Sequence, residues 1–340
     1  MRPTTKDLAT ASGVSLATID RVLNDRPGVK ANTIEKVNAA IERIGFVRNI
    51  SAANLARNKN YKFLFILPSI GDLFLKELLS QIKAAKDAFS IEMMSINVKQ
   101  IQVNDPHELA SFLGSLDHDE VDGIAIMAPE SPQVRDALTR LFERDVHIVQ
   151  LLSGKSNSDF SHFVGVDNRS AGSTAGALLG RFSKDASGKI IVIADTMLGT
   201  DSIQRRSGFD EVITNNFPQL SSLPSLETYG DLERTNQVVK TVFKNHTNIT
   251  GVYILSSEPR LSLEAIKKFA SEQSITIIAH ERTSFTEDAL RNNIIDAIIA
   301  QNPGHAVRSA IRVLKAKSDQ RELMKEQDDI RIEILLKENL

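Results

Sequence analysis

The sequence contains no cysteine, and this absence excludes disulfide bonds and cysteine-ligated metal sites. Its seven histidines are scattered, with no two of them four residues apart, so the sequence suggests no metal site. No apolar run approaches the roughly 18 residues that a membrane-spanning helix needs. Phosphate-binding glycine loops, dinucleotide-binding glycine patterns, and the serine and zinc motifs of hydrolases are all missing. We therefore expect no catalytic residues, no cofactor and no membrane partner.

Charge is unevenly distributed along a chain whose formal net charge is only −2. Residues 1–61 contain 10 Lys and Arg against 5 Asp and Glu, whereas the remainder contains 31 against 38. A small basic module on an acidic body is typical of a protein that binds nucleic acid through one end. The length of 340 residues allows two or three domains. Because Met1 to Pro3 run directly into polar sequence without a signal peptide, we expect a cytoplasmic protein.

The first residues carry the signals of a short helix followed by a tight turn. Thr4 and Asp7 have the spacing of a capping box, in which two side chains bond the backbone at a helix start. Leu8 and Ala11 lie three residues apart and predict one apolar face. Gly13 breaks the helix and permits the turn, because glycine adopts left-handed backbone conformations without steric cost.

A second short helix follows the turn and begins after Ser15, whose hydroxyl can cap it. Its buried face is predicted to carry Ile19, Val22 and Leu23. Two short helices joined by a glycine turn form a helix-turn-helix motif, whose second helix enters the DNA major groove. Four residues on the opposite face could touch DNA: Leu16, Ala17, Asp20 and Arg21.

A third helix is predicted over about 32–43, where Ile34, Val37 and Ile41 would close a three-helix core. A generic small helical bundle shows the same short pattern, so the motif alone leaves both possibilities open. The segment SAANLAR that follows is either a plain linker or a short helix. So short a helix is marginal in isolation and is expected to order only on DNA.

This whole N-terminal region resembles the DNA-binding headpiece of the LacI family of bacterial transcription regulators. The resemblance implies a helix-turn-helix headpiece over 1–48 and a hinge helix or linker over 49–60 that docks in the minor groove, where Leu55 wedges the central base step. Two positions depart from the family pattern, since Arg48 replaces a proline and Ala53 an arginine. The implied DNA-binding residues are Thr4, Ser15, Leu16, Ala17, Thr18, Asp20, Arg21, Asn24, Asn49, Ala52 and Leu55.

From residue 61 the pattern changes to apolar runs that alternate with helical stretches. Nine runs are predicted to be strands: KFLFIL, IEMMSI, GIAIMA, HIVQLL, HFVGV, KIIVIA, GVYIL, ITIIA and DAIIA. Helices are predicted between most of them, at Leu73–Phe89, 132–144, 171–182, 261–270 and 306–314. Near-continuous apolar strands that alternate with helices predict doubly wound parallel sheets. Nine strands are too many for one modest sheet, so we expect two α/β lobes.

The segment 61–340 resembles the periplasmic-binding-protein-like, ligand-binding core of the same family, in which the chain crosses between two lobes three times. The resemblance implies an N-lobe of about 61–166 and 302–325, and a C-lobe of about 167–301 and 326–340. The crossings are expected near 165–168, near 279–283 and just after 301–303.

Ligands of open α/β sheets bind beyond the carboxyl ends of the strands. At such ends, Arg205 matches the ligand-binding arginine of the family pattern Ser-x-x-Arg-x-x-Gly-Phe, and Glu281 matches an acid that accepts from sugar hydroxyls. The implied ligand-binding residues are Phe74, Asp167, Arg205, Ser256, Glu281 and Gln301. Ordinary structural roles are the alternatives: Arg205 could pair with Asp201 on a solvated helix, and Phe74 could pack in a core. His280 could line the pocket or pack.

Three glycines, Gly172, Gly176 and Gly180, are spaced four residues apart on one helix face. In a membrane this spacing would favour helix dimerisation. In this context it predicts a helix that lies close on a sheet.

These observations together predict a ligand-responsive transcription regulator, which we expect to be a repressor that binds a pseudo-palindromic double-stranded operator as a homodimer. The expected effector is a small polyhydroxylated metabolite, such as a sugar or polyol. Its binding between the lobes would shift their closure and bias the DNA-competent state. The alternative is a solute-binding or sugar-processing protein with the same core and no operator.

Overall fold

The computed structural model describes residues 3–23, 26–46, 60–69, 71–103, 105–117, 119–129, 131–154, 160–183, 187–270, 275–323 and 330–340. The chain divides into two compact units, residues Met1–Lys59 and Asn60–Leu340. In the described ranges, no helix is long and apolar enough to cross a membrane.

The described part of the first unit contains the helices α1 (Thr5–Ser12), α2 (Leu16–Leu23) and α3 (Ala31–Ile44). The predicted capping box is confirmed: the Asp7 N–H donates to the Thr4 hydroxyl at 3.3 Å, and the Thr4 N–H donates to the Asp7 carboxylate at 2.7 Å. Helix α1 ends at Gly13, whose φ of 68° is left-handed. The predicted cap of α2 is also confirmed, because the Thr18 N–H donates to the Ser15 hydroxyl at 3.2 Å.

The core of the first unit is formed by all three helices. Its buried side chains are Leu8, Ile19, Val37, Ala40 and Phe46, and Val22, Leu23 and Ile41 pack against them. The prediction that Ile34 belongs to this core is wrong, because its side chain is 38% exposed. Ile34 lies in the first turn of α3, and the core covers only the later part of that helix.

The second unit begins with a parallel sheet whose strand order is β2-β1-β3-β4-β5. Its strands are β1 (Tyr61–Pro68), β2 (Met94–Ile101), β3 (Gly123–Ile126), β4 (His147–Leu151) and β5 (Ser161–Val164). The helices α4 (Leu73–Phe89), α5 (Pro106–Gly114) and α6 (Pro132–Phe142) connect them. We call this sheet with its helices the first lobe.

A second sheet, with the order β12-β11-β10-β9-β6-β7, forms the second lobe, and β8 pairs with β6. Its strands are β6 (Gly188–Ala194), β7 (Leu220–Ser222), β8 (Leu226–Glu227), β9 (Ile249–Ile254), β10 (Thr276–His280), β11 (Ala297–Ala300) and β12 (Glu333–Leu335). Its helices are α7 (Asn168–Phe182), α8 (Thr200–Asn216), α9 (Leu232–Asn245), α10 (Arg260–Phe269) and α11 (Ser284–Arg291). All pairs in this sheet are parallel except β11 with β12. The predicted α/β architecture of two doubly wound sheets is confirmed.

Residues late in the sequence complete both lobes. Helix α12 (Pro303–Ser318) packs its buried residues, Ala306 and Leu314 among them, into the core of the first lobe. The chain then returns to the second sheet as β12. The prediction of a crossing near 279–283 is therefore wrong, because β10, α11 and β11 follow one another within the second lobe. The observed crossings follow β5, β11 and α12.

Several element bounds differ from the predicted ones. Strand β2 starts at Met94 and not at Ile91, because residues Ser90–Glu92 form a 3-10 turn and Met93 adopts a φ of 58°. The short strands β7, β8 and β12 were not predicted, since none of them forms an apolar run long enough to stand out.

The glycine stripe of α7 packs on a helix, so the prediction that it lies close on a sheet is wrong. A Cβ atom at Gly172 would lie 1.8 Å from the Arg205 carbonyl oxygen, and one at Gly176 would lie 3.1 Å from the Phe209 carbonyl oxygen. Gly208 of α8 approaches α7 in return, with the Arg169 carbonyl oxygen 2.0 Å from its ideal Cβ position. The backbones of α7 and α8 therefore lie in close contact at these glycines.

Candidate functional site

The exposed face of α2 is the candidate DNA-contacting surface of the first unit. Ile19 is buried, whereas Leu16 is 48% exposed and Ala17 and Arg21 are exposed beside it. Asp20 is also exposed and pairs with Arg26 at 3.3 Å. The face therefore presents two apolar side chains, one guanidinium and one carboxylate.

The remaining predicted DNA-binding residues lie either at the starts of α1 and α2 or outside the described residues. The hydroxyls of Ser15 and Thr18 lie 2.9 Å apart at the start of α2, and the Thr4 hydroxyl bonds the Asp7 carboxylate at 2.7 Å. Four predicted residues lie outside the described residues: Asn24, Asn49, Ala52 and Leu55.

Arg205 on α8 is the centre of a buried polar cluster in the second unit and is only 5% exposed. Its Nε donates to the Asn168 side-chain oxygen at 2.8 Å, and its Nη1 donates to the Leu255 carbonyl at 2.9 Å. Its Nη2 lies 3.4 Å from Oε1 of Glu281. The alternative of a solvated pair with Asp201 does not describe this side chain.

Glu281 follows β10 and is 2% exposed, with a left-handed φ of 62°. Its Oε1 accepts from Arg205 and also from Nε2 of Gln301 at 3.0 Å. Its Oε2 has no hydrogen-bond partner among the described residues. Burial raises the pKa of the Glu281 carboxyl, while the Arg205 charge and the Gln301 hydrogen bond act against that shift. The side chain thus offers one buried acceptor atom to a further donor.

Gln301 connects this cluster to the crossing between the lobes. It is 3% exposed, and its side-chain oxygen lies 3.4 Å from the Val166 N–H at the first crossing. An open groove of about 520 Å³ passes beside Gln301 between the lobes, with Leu73 and Lys76 on one side and Arg282 and Thr283 on the other. The cluster therefore lies where the two lobes meet.

A direct contact between the lobes was not predicted. The Ser257 hydroxyl, which follows β9, donates to Oδ2 of Asp72, the residue that caps α4 after β1. The neighbouring Ser256 is 9% exposed, and its hydroxyl has no hydrogen-bond partner among the described residues. The carboxyl ends of β1 and β9, which belong to different sheets, thus approach each other.

His280 is a buried residue whose ring contacts the Tyr253 hydroxyl. Its Nε2 lies 2.7 Å from the Tyr253 hydroxyl, and Tyr253 stacks on Phe209 with ring centroids 4.6 Å apart. Burial, with a further contribution from the Arg205 charge, holds the pKa of His280 well below its ordinary value. Burial also raises the pKa of the Tyr253 phenol. Both side chains are therefore neutral at physiological pH, and the Arg205 charge is close enough to act on both of them.

Three of the six predicted ligand residues, Arg205, Glu281 and Gln301, are joined by direct hydrogen bonds. Phe74 is 3% exposed and belongs to the hydrophobic core of the first lobe. Asp167 is exposed and caps α7, with its Oδ1 accepting the Arg169 N–H at 3.0 Å. Its neighbour Asn168 is the residue that bonds Arg205, and it was not among the predicted ligand residues.

Two family models match the chain. The bacterial regulatory proteins of the lacI family match residues 4–49, and the periplasmic binding protein domain matches residues 63–322. The second match covers more than half of the chain.

Curated relatives match shorter segments. Catabolite control protein A of Priestia megaterium is 35% identical over 128 residues, which are 38% of this chain and 37% of that protein. The HTH-type transcriptional regulator RegA of Clostridium saccharobutylicum is 31% identical over 169 residues, which are 49% of this chain and 48% of that protein. The chain thus matches less than half the length of these relatives, the second of which is named as a transcriptional regulator.

Solved structures share the fold. GanP, a glucose-galactose binding protein from Geobacillus stearothermophilus, superposes with a TM-score of 0.71 at 17% identity over 83% of this chain and 99% of that chain. A putative LacI transcriptional regulator from Bacteroides fragilis gives a TM-score of 0.70 at 17% identity over 83% of this chain and 98% of that chain. From the family matches, the chain belongs to the periplasmic binding protein domain family over residues 63–322, and its residues 4–49 match the lacI family of bacterial regulatory proteins.

Proposed function

We propose that this protein is a sequence-specific DNA-binding repressor whose affinity for a double-stranded operator depends on a small effector bound between its lobes. The observation that carries the DNA-binding part is the exposed face of α2, where Arg21 stands beside Leu16 and Ala17. A guanidinium can bond a guanine edge, and small apolar side chains can contact thymine methyls. The lacI-family headpiece argues against the alternative of a solute-binding protein without an operator.

The polar cluster supports the effector part of the proposal. Arg205, Glu281 and Gln301 combine donors and acceptors at the carboxyl ends of the second-lobe strands, next to the first lobe. Such sets fix the orientation of a ligand with several hydroxyls. A ligand that contacts both lobes stabilises one arrangement of the lobes over the others. This preference for one arrangement couples ligand binding to the affinity for DNA.

We further propose that the protein acts as a homodimer on a pseudo-palindromic operator. Helix-turn-helix proteins bind two half-sites about one helical turn apart, so the symmetry of the operator mirrors that of the protein. Sedimentation of the protein with and without the operator duplex measures this state. A single protomer on a single half-site would contradict it.

The DNA-binding proposal is tested by selecting an operator from random duplexes and measuring the affinity of Arg21→Ala for it. Loss of a bidentate base contact is expected to weaken binding by about 1–3 kcal/mol. Lys36→Ala is the matched control, because Lys36 is an equally exposed cation on α3 and its removal takes away only nonspecific charge. Equal operator affinity of Arg21→Ala and wild type would overturn the assignment of Arg21.

The effector proposal is tested by thermal shift against sugars, polyols and their acids, because a ligand that binds only the folded state raises the melting temperature. Arg205→Lys is expected to lose the response while operator binding remains, since lysine cannot reproduce the guanidinium contacts. The same ligand must change operator affinity. A ligand that binds without changing operator affinity would contradict the proposed coupling.

A further inference from the structure

Four carboxylates stand after four different strands where the two lobes meet. Asp72 follows β1, Asp195 follows β6, Glu258 follows β9 and Glu281 follows β10. We call them the acid cluster. They interact electrostatically: the Asp72 charge raises the pKa of both Asp195 and Glu281, and the Glu258 charge also raises that of Asp195. The larger contribution to both shifts is burial, so Asp195 and Glu281 are also poorly hydrated.

Among the described residues, cations pair with only two members of the acid cluster. Arg205 lies 3.4 Å from Glu281, and Arg260 lies 2.7 Å from Glu258. Asp72, in contrast, accepts from the Ser257 hydroxyl and the Leu75 N–H, and Asp195 accepts from the Thr228 hydroxyl at 3.0 Å. The hydrogen bonds to Asp72 and Asp195 therefore come from neutral groups.

Two buried polar atoms beside the acid cluster provide an independent sign of a ligand. Oε2 of Glu281 and the hydroxyl of Ser256 have no hydrogen-bond partner among the described residues, although their residues are only 2% and 9% exposed. Ser256 adjoins Ser257, which reaches Asp72 of the other lobe. A buried polar atom left without a partner costs about 1–3 kcal/mol, so both atoms favour a bound molecule that supplies hydrogen bonds.

We propose that the effector is a protonated amine on a polyhydroxylated skeleton, an amino sugar or amino polyol, whose ammonium group lies between Asp72 and Asp195 and whose hydroxyls reach Glu281 and Ser256. The inference rests on the proposed effector site and specifies its ligand. An ammonium group adds a positive charge beside two carboxylates whose hydrogen bonds come from neutral groups, and one of them, Asp195, is poorly hydrated. A metal ion is the less suitable cation, because the described residues contain no group of three acids or histidines placed to hold one.

The test compares ligands that share a sugar ring and differ at one substituent, which is a charged ammonium, a neutral hydroxyl or a neutral acetamide. D-glucosamine, D-galactosamine and D-mannosamine are each measured against the parent hexose and the N-acetyl derivative by thermal shift and titration calorimetry. At least one amino sugar is expected to bind about tenfold more tightly than both of its neutral counterparts, a difference of about 1.4 kcal/mol.

The acid cluster is tested by Asp72→Asn and Asp195→Asn, each of which keeps one side-chain oxygen as an acceptor, for Thr228 at Asp195 and for the cap of α4 at Asp72. Either variant should reduce the affinity for the amino sugar to that for the neutral sugar. Asp136→Asn, an exposed carboxylate of the first lobe paired with Arg140, is the control and should leave both affinities unchanged.

Three results would overturn the amine proposal: no amino sugar changes the melting temperature, the parent hexose binds as tightly, or Mg²⁺ or Ca²⁺ alone stabilises the protein through Asp72. These measurements are made without DNA. Failure to select any operator would instead overturn the proposed function and leave the charge comparison standing.

Discussion

Gly172 lies so close to Arg205 that a Cβ atom on the glycine would meet the arginine carbonyl oxygen at 1.8 Å. The contact joins the backbones of α7 and α8, and the same arginine holds the buried polar cluster through its side chain. The position of the guanidinium therefore depends on the absence of a single methyl group from the neighbouring helix.

Gly172→Ala is expected to destabilise the protein by about 1–3 kcal/mol, because the backbones of α7 and α8 must separate. Gly114→Ala is the matched control: this glycine also lies in a helix, but nothing stands within 4 Å of its ideal Cβ position. The control should be neutral or more stable by up to about 1 kcal/mol. Urea unfolding measures both, and equal effects would contradict the close approach.

Arg205→Ala is expected to cost about 3–5 kcal/mol of stability, because it leaves the Glu281 carboxylate buried without a counter-charge. Adding Glu281→Gln to that variant should restore part of the loss, since a neutral amide is less costly to bury. Arg140→Ala, which breaks an exposed pair with Asp136, should cost at most about 0.5 kcal/mol. A small effect of Arg205→Ala would mean that water replaces the guanidinium.

Asp195→Asn is expected to raise the melting temperature at about pH 7 but not at about pH 4. Burial raises the pKa of Asp195 in the folded state above its ordinary value of 3.8, so its protonation favours folding. That stability is fully present below the unfolded pKa and is lost as pH rises through the folded pKa. Asparagine cannot ionise and keeps an acceptor for Thr228. A gain that is the same at both pH values would contradict the assigned cause.

Thr4→Ala is expected to weaken the start of α1 by about 1 kcal/mol, because the Asp7 N–H loses its capping oxygen. Thr4→Ser keeps the hydroxyl and is the control. Hydrogen exchange of the α1 amides in the full chain measures the difference. If the alanine and serine variants exchange at the same rate, the cap contributes nothing to the helix.

Asp20→Ser is expected to relax operator specificity at one base pair, because a carboxylate repels phosphates and accepts only from an amino group such as that of cytosine. The ion pair with Arg26 holds the carboxylate at the surface of α2. Selecting operators with the variant and the wild type provides the comparison. An identical selected sequence would contradict this role.

Local patterns were sufficient to predict much of the fold. The capping box at Thr4, the turn at Gly13 and the nine apolar strands depend on neighbours in sequence, and the structure contains all of them. Ile34 was wrongly assigned to the core, because the apolar face of α3 extends further along the helix than the core that covers it. Strand β12 was missed because only its pairing with β11 makes it a strand.

The candidate site was predicted less completely. Arg205 and Glu281 were selected from their matches to family positions, and the structure places them in contact. Asp72 and Ser257 were not selected, because their contact depends on how the carboxyl ends of strands in different lobes approach each other. From the sequence, Phe74 could be either a core residue or a ligand contact, because both roles are possible in a helix at this position. The packing of the first lobe decides between them, and it buries Phe74 in the core.

The late contribution of α12 bears on the order in which the protein forms during synthesis. Residues such as Ala306 and Leu314 fill the core beneath a sheet that starts at Tyr61, so the first lobe emerges from the ribosome without part of its interior. The second lobe also lacks a sheet edge until β12 is made. The first lobe therefore cannot close its core until α12 has been made, and the second lobe cannot complete its sheet until β12 follows. Exposed apolar surface and unpaired strand edges of this kind make partly folded chains prone to aggregation.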